Sequence, residues 1–212
     1  MPDYTLTEEK FYDNSAHSKN IFRSWYHRSR NQLVSSILNK YLKPGMTIAD
    51  LGCGNAMWNT EKLPVIGVDI NEKFLEYSYQ LGRISQKVKS PLDHIDLPDH
   101  SIDIIIITEV IEHLPDLDKH FEEMSRLLKP GGFIISSVPY DTNLSLFKPL
   151  FFCQCFYRGT ILGEKYYQEC CGHINHFSPA SIRKLFAKNR FEMIEQVNHL
   201  YFVIFTVFKK MA

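Results

Sequence analysis

The run SIDIIIIT, from Ser101 to Thr108, constrains the fold more than any other stretch of this 212-residue chain. Its apolar residues follow one another without the polar alternation of a strand that has one face in water. Such runs are typical of strands in a parallel sheet that helices cover on both faces. A chain of this length can bury a core of that kind as one domain. We therefore expect a parallel strand at the centre of a layered α/β domain.

Predicted strands and helices alternate on both sides of this run, which favours a doubly wound α/β sheet closed by an antiparallel strand. The predicted strands are Thr47 to Leu51, Val65 to Asp69, Ile84 to Ser90, Ser101 to Thr108 and FIISSV after the sequence KPGG, with a final hairpin around Asn198-His199. The predicted helices run from Asn20 to Leu42, from Asn71, from Asp116 to Leu128, and from Ser178-Pro179.

The whole chain, residues 1–212, is predicted to be a single domain with two additions. Residues 1–45 would form an N-terminal helical cap, in which the polar residues 1–18 are mobile until something orders them. Residues 141–172 interrupt the alternation with an aromatic and cysteine-rich segment. We interpret this segment as an insertion that forms a lid.

The composition excludes some function classes and indicates a compartment. Apolar residues make up 44% of the chain and the formal net charge is zero, so a long polyanion such as nucleic acid is a disfavoured partner. No apolar run approaches the roughly 20 residues of a transmembrane helix. The N-terminus resembles no signal peptide, and the odd count of five cysteines indicates reduced thiols. These features predict a cytoplasmic protein; they say nothing of its oligomeric state.

The stretch IADLGCGNA places two glycines where the first predicted strand ends. Gly52 and Gly54 allow a sharp turn and a close approach of the backbone to a ligand. Asp69 ends the next strand, where its carboxylate could accept both hydroxyls of a ribose. Because a G-x-G-x-x-G sequence is missing, NAD is less favoured than another adenosine-containing cofactor. A turn that needs glycine only for its geometry is the alternative.

Four motifs, in order and spacing, resemble those of class I S-adenosylmethionine-dependent methyltransferases: IADLGCGNA, VIGVDIN, LPDHSIDIIIITEVIEHLPD and RLLKPGGFIISSVP. The late segment GHINHFSPASIRKLFAKNRFEMIE is also similar to that family. The resemblance covers residues 11–208 apart from the insertion. It implies a Rossmann-like, doubly wound, seven-stranded sheet and S-adenosyl-L-methionine as the cofactor.

The resemblance also implies roles for residues of the cofactor site. The backbone of the glycine turn would pass beneath the methionine part, Asp50 would hold the turn through its amides, and Asp69 would bind the ribose. Tyr12 or Arg30 would bind the methionine carboxylate, although a packed aromatic stripe explains that N-terminal segment equally well. The full set of implied cofactor residues is Tyr12, Arg30, Asp50, Gly52, Cys53, Gly54, Asp69, Ile70, Leu92, Thr108 and Glu109. The acid that often faces the adenine is replaced by Ser90 or Pro91, which leaves main chain or Asp93 for that contact.

Two clusters raise the question of metal. Glu109, Glu112 and His113 resemble a magnesium motif of some O-methyltransferases, to which His173 or His176 could add a ligand. Related sequences without metal share the same motif, where it supports the site's walls. Our interpretation is therefore that the site holds no metal and that Glu109 and His113 are the candidate catalytic residues. The second cluster comprises Cys153, Cys155, Cys170, Cys171, His173 and His176, and its spacing is awkward for zinc.

The sequence favours a methyltransferase that acts on a small molecule, including an apolar one, through an undetermined O, N or C acceptor. The short spacing between Gly54 and Asp69 is also similar to that of tRNA methyltransferases. A non-catalytic subunit that binds the cofactor is the third alternative.

Overall fold

The computed structural model describes residues 7–142, 145, 147–168 and 172–211. One seven-stranded sheet runs through it in the order β3-β2-β1-β4-β5-β7-β6. The first five strands are parallel, and β7 joins β5 in the antiparallel direction. The strand order reverses between β1 and β4, the place where open α/β sheets bind ligands. The predicted fold class is confirmed.

The strands lie close to their predicted positions. Their bounds are Ile48–Leu51 (β1), Val65–Asp69 (β2), Gln86–Lys89 (β3), Ile102–Thr108 (β4), Leu128–Pro139 (β5), Phe191–His199 (β6) and Val203–Lys210 (β7). Every β1 residue is buried, and β4 is buried along most of its length. This burial on both faces is what the unbroken apolar runs predicted.

The helices flank the sheet, and two of them begin after the predicted capping residues Asn71 and Ser178. Asn20 and Asn71 accept backbone hydrogen bonds at the starts of α2 and α3, and Ser178 forms a capping box before α7. Their bounds are Phe11–Ala16 (α1), Ile21–Tyr41 (α2), Glu72–Gln80 (α3), Leu117–Leu127 (α4), Phe147–Cys155 (α5), Lys165–Gln168 (α6) and Pro179–Lys188 (α7). A 3₁₀ turn spans Ile111–His113, and a π-helical segment, Phe156–Ile161, follows α5.

The core lies on both faces of the sheet. On one face Phe121, Phe186 and Phe208 pack together, with Phe186 stacked on Phe208 at a centroid distance of 3.6 Å. On the other face Val34, Ile37 and Leu38 of α2 pack against β1 and β7. Within the described ranges, no helix combines the length and the apolarity needed to cross a bilayer.

Three local predictions differ from the structure. The sequence KPGG does not lie between α4 and β5, because β5 already begins at Leu128, which pairs with Ile102 before a register shift. No helix separates β1 from β2, although the alternation of strands and helices predicts one there; turns occupy residues 52–64. The final reversal falls at residues 200–202 rather than at Asn198-His199.

The N-terminal segment contains a helix that the sequence did not predict. Residues 11–16 form α1, although residues 1–18 were expected to be mobile. Residues 1–6 lie outside the described ranges. The insertion at 141–172 contains α5, the π-helical segment and α6; its role as a lid stays a prediction.

Candidate cofactor and active site

A cavity of about 420 Å³ opens at the carboxyl ends of β1, β2 and β4. Its volume lies within the roughly 300–1,000 Å³ of pockets that bind small molecules. The predicted residues that line it are Tyr12, Arg30, Gly52, Cys53, Gly54, Asp69, Ile70, Leu92, Asp93, Thr108, Glu109 and His113. Asp50 and Glu112 lie behind this surface. The sheet's topology therefore gathers almost all the predicted site residues in one place.

The glycine turn after β1 needs glycine for two different reasons. Gly52 has φ +69° and Gly54 has φ +47°, a conformation that side chains disfavour. A Cβ on Gly52 would lie 2.6 Å from Cγ2 of Val110, so this glycine makes room for the segment after β4. A Cβ on Gly54 would lie 3.1 Å from the ring of Tyr12. Of the two glycines, only Gly54 therefore faces the ring of Tyr12, which lies over the turn.

The carboxylate of Asp69 organises the turn from the end of β2. The amide of Gly54 donates to Oδ2 at 2.8 Å, and the amide of Asn71 donates to Oδ1 at 2.8 Å. Burial raises the pKa of Asp69, and these amide hydrogen bonds oppose the shift. Each oxygen keeps a second lone pair. The side chain lines the cavity and can still accept hydroxyl groups there.

Asp50 holds the turn in a different way from the one expected. Its Oδ2 accepts a hydrogen bond from the indole Nε1 of Trp58 at 2.7 Å, and no described amide of the turn donates to it. Burial raises the pKa of Asp50 to about 7. The expectation that Asp50 binds the amides of the turn is wrong, because the amides of Gly52 and Cys53 donate to the carbonyl of Val68.

Tyr12 and α1 cover the turn. The ring of Tyr12 lies against Phe74, with 5.4 Å between centroids, and its pKa is raised to about 12 by burial and by the charge of Asp69. The next residue, Asp13, forms an ion pair with Arg83 at 2.9 Å and accepts a hydrogen bond from Asn55 at 2.6 Å. These contacts fix α1 as one wall of the cavity.

Arg30 on α2 faces Glu109 at the end of β4. Nη1 of Arg30 lies 3.2 Å from Oε2 of Glu109, and the hydroxyl of Ser137 donates to Oε1 at 2.8 Å. Glu109 has φ +56°, so its backbone stands in the left-handed region. The side chain of Glu109 therefore points to α2 and β5 rather than to the Glu112–His113 pair.

Glu112, His113 and His173 form a separate cluster. One ligand atom from each lies within 4.8 Å of the other two. Nδ1 of His113 lies 3.1 Å from the carbonyl of Gly172; because a carbonyl only accepts, Nδ1 carries the proton. Oε2 of Glu112 is buried without a hydrogen-bond partner in the described part of the chain. Within the described ranges, no other set of three such residues gathers in this way.

The charges of this cluster are suppressed by burial. The pKa of Glu112 is raised well above its usual value by burial and by Glu109. Burial lowers the pKa of His113, and burial with the neighbouring His113 lowers that of His173 to about 4. The two imidazoles are therefore neutral near pH 7, and His113, which lines the cavity, can accept a proton from a bound molecule.

The cysteine cluster does not assemble a described metal site. Cys153 is exposed and Cys155 is buried, while Cys170 and Cys171 lie outside the described residues. His176 contacts Asp141 instead of the Glu112 cluster. Cys53 is buried behind the turn with a raised pKa, so its thiol is protonated.

Sequence reasoning missed several lining residues. Asn31 lies next to Arg30, and with His27 these residues occupy one face of α2 at i, i+3 and i+4, a spacing that could have revealed them. Burial lowers the pKa of His27 to about 3. The other missed residues are Asn55, Met57, Trp58, Phe74, Val110, Leu114, Pro115 and His120.

The residues present fit an adenosine-containing cofactor. The turn at Gly54 would be crowded by a Cβ, and Asp69 offers oxygen acceptors for a ribose. Ile70 and Leu92 offer apolar surface beside Asp69. Arg30 and Glu109 supply one positive and one negative group, which complement a zwitterionic amino-acid moiety.

The comparisons with known proteins agree with this fit. A family described as "Methyltransferase domain" matches residues 49–136. The chain is 26% identical over 120 residues to demethylmenaquinone methyltransferase of Lysinibacillus sphaericus, which is 52% of the chain and 51% of the relative. It is 30% identical over 104 residues to malonyl-[acyl-carrier protein] O-methyltransferase of Yersinia pestis, and this alignment covers 47% of the chain and 39% of the relative. The chain thus spans about half the length or less of these curated relatives.

A solved structure shares the fold of this chain. A SAM-dependent methyltransferase of Methanosarcina mazei matches with a TM-score of 0.60 at 18% identity, over 82% of this chain and 97% of that one. This likeness concerns the fold. The motifs, the glycine turn and Asp69 make the chain similar to class I S-adenosylmethionine-dependent methyltransferases, and residues 49–136 match the methyltransferase-domain family.

Proposed function

We propose that the protein transfers a methyl group from S-adenosylmethionine to a small apolar molecule. One observation carries this proposal: the cavity places the Gly54 turn, the Asp69 carboxylate and the Arg30–Glu109 pair around one volume. The cofactor supplies an activated methyl group on a sulfonium. What the chain must add is binding, alignment and the exclusion of water.

The protein's own residues divide this work. Asp69 would hold the ribose hydroxyls, with Ile70 and the segment at Leu92 against the adenine. Arg30 and Glu109, with Thr108 beside them, would hold the amino-acid part. Tyr12 would exclude water, because its half-buried ring lies over the turn, 3.1 Å from where a Cβ on Gly54 would stand.

A proton acceptor is needed only if the acceptor atom of the substrate carries a proton. His113 is the stronger candidate, because it lines the cavity as a neutral imidazole. Glu109 is already bound by Arg30 and Ser137. We therefore assign to Glu109 the positioning of the cofactor and to His113 the proton transfer.

The acceptor is proposed to be apolar for two reasons. Leu114, Pro115, Val110 and Met57 line the cavity beyond the cofactor residues. The names of two relatives describe action on apolar molecules: the demethylmenaquinone methyltransferase of Lysinibacillus sphaericus, and the sterol 24-C-methyltransferase ERG6B of Gibberella zeae, which is 33% identical over 108 residues, 43% of this chain and 27% of the relative. The atom that accepts the methyl group stays undetermined.

Calorimetry with S-adenosylhomocysteine tests the cofactor site. Asp69→Ala removes a carboxylate that would accept two hydroxyls, so we expect binding to weaken about 10- to 150-fold. Asp96→Ala, at an exposed aspartate away from the cavity, is the matched control and should bind normally. Equal affinities of the two variants, both folded, would refute the assignment.

Turnover is tested separately with radiolabelled S-adenosylmethionine and a panel of quinol, phenol and fatty-acyl acceptors. Transfer of label to an apolar acceptor supports the proposal. Tight cofactor binding without transfer to any member of the panel would favour the non-catalytic alternative.

A further inference from the structure

The cavity contains a buried histidine that the proposed function does not use. His120 lies on α4, lines the cavity and is 7% exposed. Its Nδ1 lies 3.0 Å from the carbonyl oxygen of Asp116, and because a carbonyl only accepts, Nδ1 carries the proton. In the neutral ring, Nε2 therefore offers a lone pair. No residue in the described part of the chain forms a hydrogen bond with Nε2.

The contacts of α4 show which part of the cavity His120 faces. Glu123 follows His120 by one helical turn, and its Oε1 accepts a hydrogen bond from the amide of Ile95 at 2.7 Å. Arg126, in the next turn, donates to the carbonyl of Leu97 at 2.9 Å. This face of α4 therefore runs alongside the segment that follows β3, in the same direction. One turn nearer the start of α4, His120 lies towards the first residues of that segment.

This end of the cavity has apolar walls. Pro91 and Leu92 come from the segment after β3, Ile70 follows β2, and Leu114 precedes α4. Ile70 also directly follows Asp69, the residue to which the proposed function assigns the ribose hydroxyls. A base attached to that ribose would therefore lie among these side chains, within the part of the cavity that His120 faces.

The other polar groups of the segment after β3 are less suited to bind the edge of a base. The hydroxyl of Ser90 donates to the carbonyl of His94, and Ser90 does not line the cavity. Asp93 lines the cavity but is exposed, so water competes for its carboxylate. His120 is buried, and an unpaired acceptor in a buried side chain gains most from a donor on a ligand.

We propose that His120 makes the cofactor site specific for a 6-aminopurine, because its Nε2 accepts a hydrogen bond from the exocyclic amino group of the base. A 6-oxopurine has a carbonyl oxygen at that position, so two acceptors would face each other. This inference rests on the proposed function, and it adds the residue that distinguishes one base from another.

Calorimetry with S-adenosylhomocysteine and S-inosylhomocysteine, in mildly alkaline buffer, tests the assignment. The wild-type chain should bind the amino compound about 10- to 100-fold more tightly than the oxo compound. His120→Leu should reduce this preference to less than about threefold, chiefly by weakening binding of the amino compound. His94→Leu makes the same change at an exposed histidine outside the cavity and should keep the full preference. Asp93→Ala, which tests the competing acceptor, should keep it as well.

Nuclear magnetic resonance of the wild-type chain, with ¹⁵N-labelled histidine, tests the contact without a variant and without the amino-acid part of the cofactor. Adenosine should shift the Nε2 signal of His120, because that nitrogen gains a hydrogen-bond donor. Inosine at the same concentration should shift it much less. The spectrum of His120→Leu serves only to identify the signal.

The two measurements distinguish failure of this inference from failure of the proposed function. If His120→Leu keeps the preference for the amino compound, or Asp93→Ala loses it, the assignment to His120 is wrong and the cofactor site stands. Equal binding of both compounds by the wild-type chain, or a His120 signal that responds to neither nucleoside, would also overturn the assignment. If adenosine shifts that signal but S-adenosylhomocysteine does not bind, the proposed function is wrong and the assignment stands.

Discussion

Arg30 of α2 and Glu109 at the end of β4 meet across the candidate site, with 3.2 Å between Nη1 and Oε2. The two side chains are each about one-fifth exposed, so the pair is partly shielded from water. Glu109 reaches this position with a φ of +56°, a backbone conformation that costs about 1–3 kcal/mol and persists only when contacts hold it. Arg30 and Ser137 supply those contacts. The pair connects α2 to the carboxyl ends of the parallel strands, where methyl transfer is proposed.

The first prediction separates a cofactor role for Arg30 from a purely structural one. Arg30→Ala should weaken binding of S-adenosylhomocysteine about 10- to 100-fold, through loss of a charge-assisted contact to its carboxylate. Binding of 5′-methylthioadenosine, which lacks the amino-acid part, should change less than about threefold. Calorimetry with both ligands measures the difference.

Arg28→Ala is the control for this experiment, since Arg28 is exposed on the same helix. It should leave both affinities unchanged. If Arg30→Ala weakens both ligands equally, Arg30 acts only by holding Glu109 and α2 in place.

The second prediction concerns Gly52. Any Cβ there would lie 2.6 Å from a methyl group of Val110, and its φ of +69° is strained for a side chain. Gly52→Ala should therefore destabilise the fold by about 1–3 kcal/mol, whether or not cofactor is present. Adding Val110→Ala should restore the steric part and leave the backbone strain. Urea unfolding of both variants measures the two contributions.

Gly54→Ala provides the contrast within the same turn. Its Cβ would meet the ring of Tyr12, a side chain that α1 carries rather than the sheet. Removing that ring with Tyr12→Ala should abolish this clash. If Gly52→Ala is as stable as the wild type, the contact with Val110 does not explain the glycine.

The sequence predicted what depends on local pattern and missed what depends on distant partners. The unbroken apolar runs located β1, β2 and β4, and the Asp69 motif located the cavity. The sequence KPGG predicted the end of α4, and the structure confirms this end at Leu127. The start of β5 at Leu128 was missed, because it depends on the pairing of Leu128 with Ile102 across the sheet.

The same reason explains two errors at the site. The helix α1 is held by Arg83, which lies 70 residues away from Asp13 along the chain. Asp50 and Trp58 are only eight residues apart, yet their hydrogen bond depends on the turn that folds the indole back under β1. No periodicity in the sequence encodes either contact.

The third prediction concerns metal. The Glu112–His113–His173 cluster offers one carboxylate and two imidazoles, whereas Mg²⁺ prefers oxygen ligands. Glu109 does not join the cluster, because its oxygens are engaged by Arg30 and Ser137. We expect cofactor binding and methyl transfer to survive chelation by EDTA, with no stimulation by magnesium.

The variant Glu112→Gln tests directly whether Glu112 binds a metal. With no metal, the substitution preserves the shape of a side chain whose pKa is raised well above its usual value by burial, and it should cost less than about threefold in turnover. Loss of activity on chelation that Mn²⁺ or Zn²⁺ restores, and that Glu112→Gln abolishes, would establish a transition-metal site instead.

The last prediction follows from the buried pair of Asp50 and Trp58. The pKa of Asp50 is raised from 3.8 to about 7 by burial, so the folded state keeps this carboxyl protonated over a range in which the unfolded state has lost the proton. The folded state then binds more protons than the unfolded state, and stability falls as the pH rises between those two values.

Asp50→Asn keeps an oxygen acceptor for the indole and removes the titration. We expect the variant to gain stability relative to the wild type progressively from about pH 4 to about pH 7, with no further gain above that range. Thermal unfolding at a series of pH values measures this difference, and Asp96→Asn, at an exposed aspartate, should run parallel to the wild type throughout. A constant difference between Asp50→Asn and the wild type across the range would show that Asp50 is ionised in the folded protein.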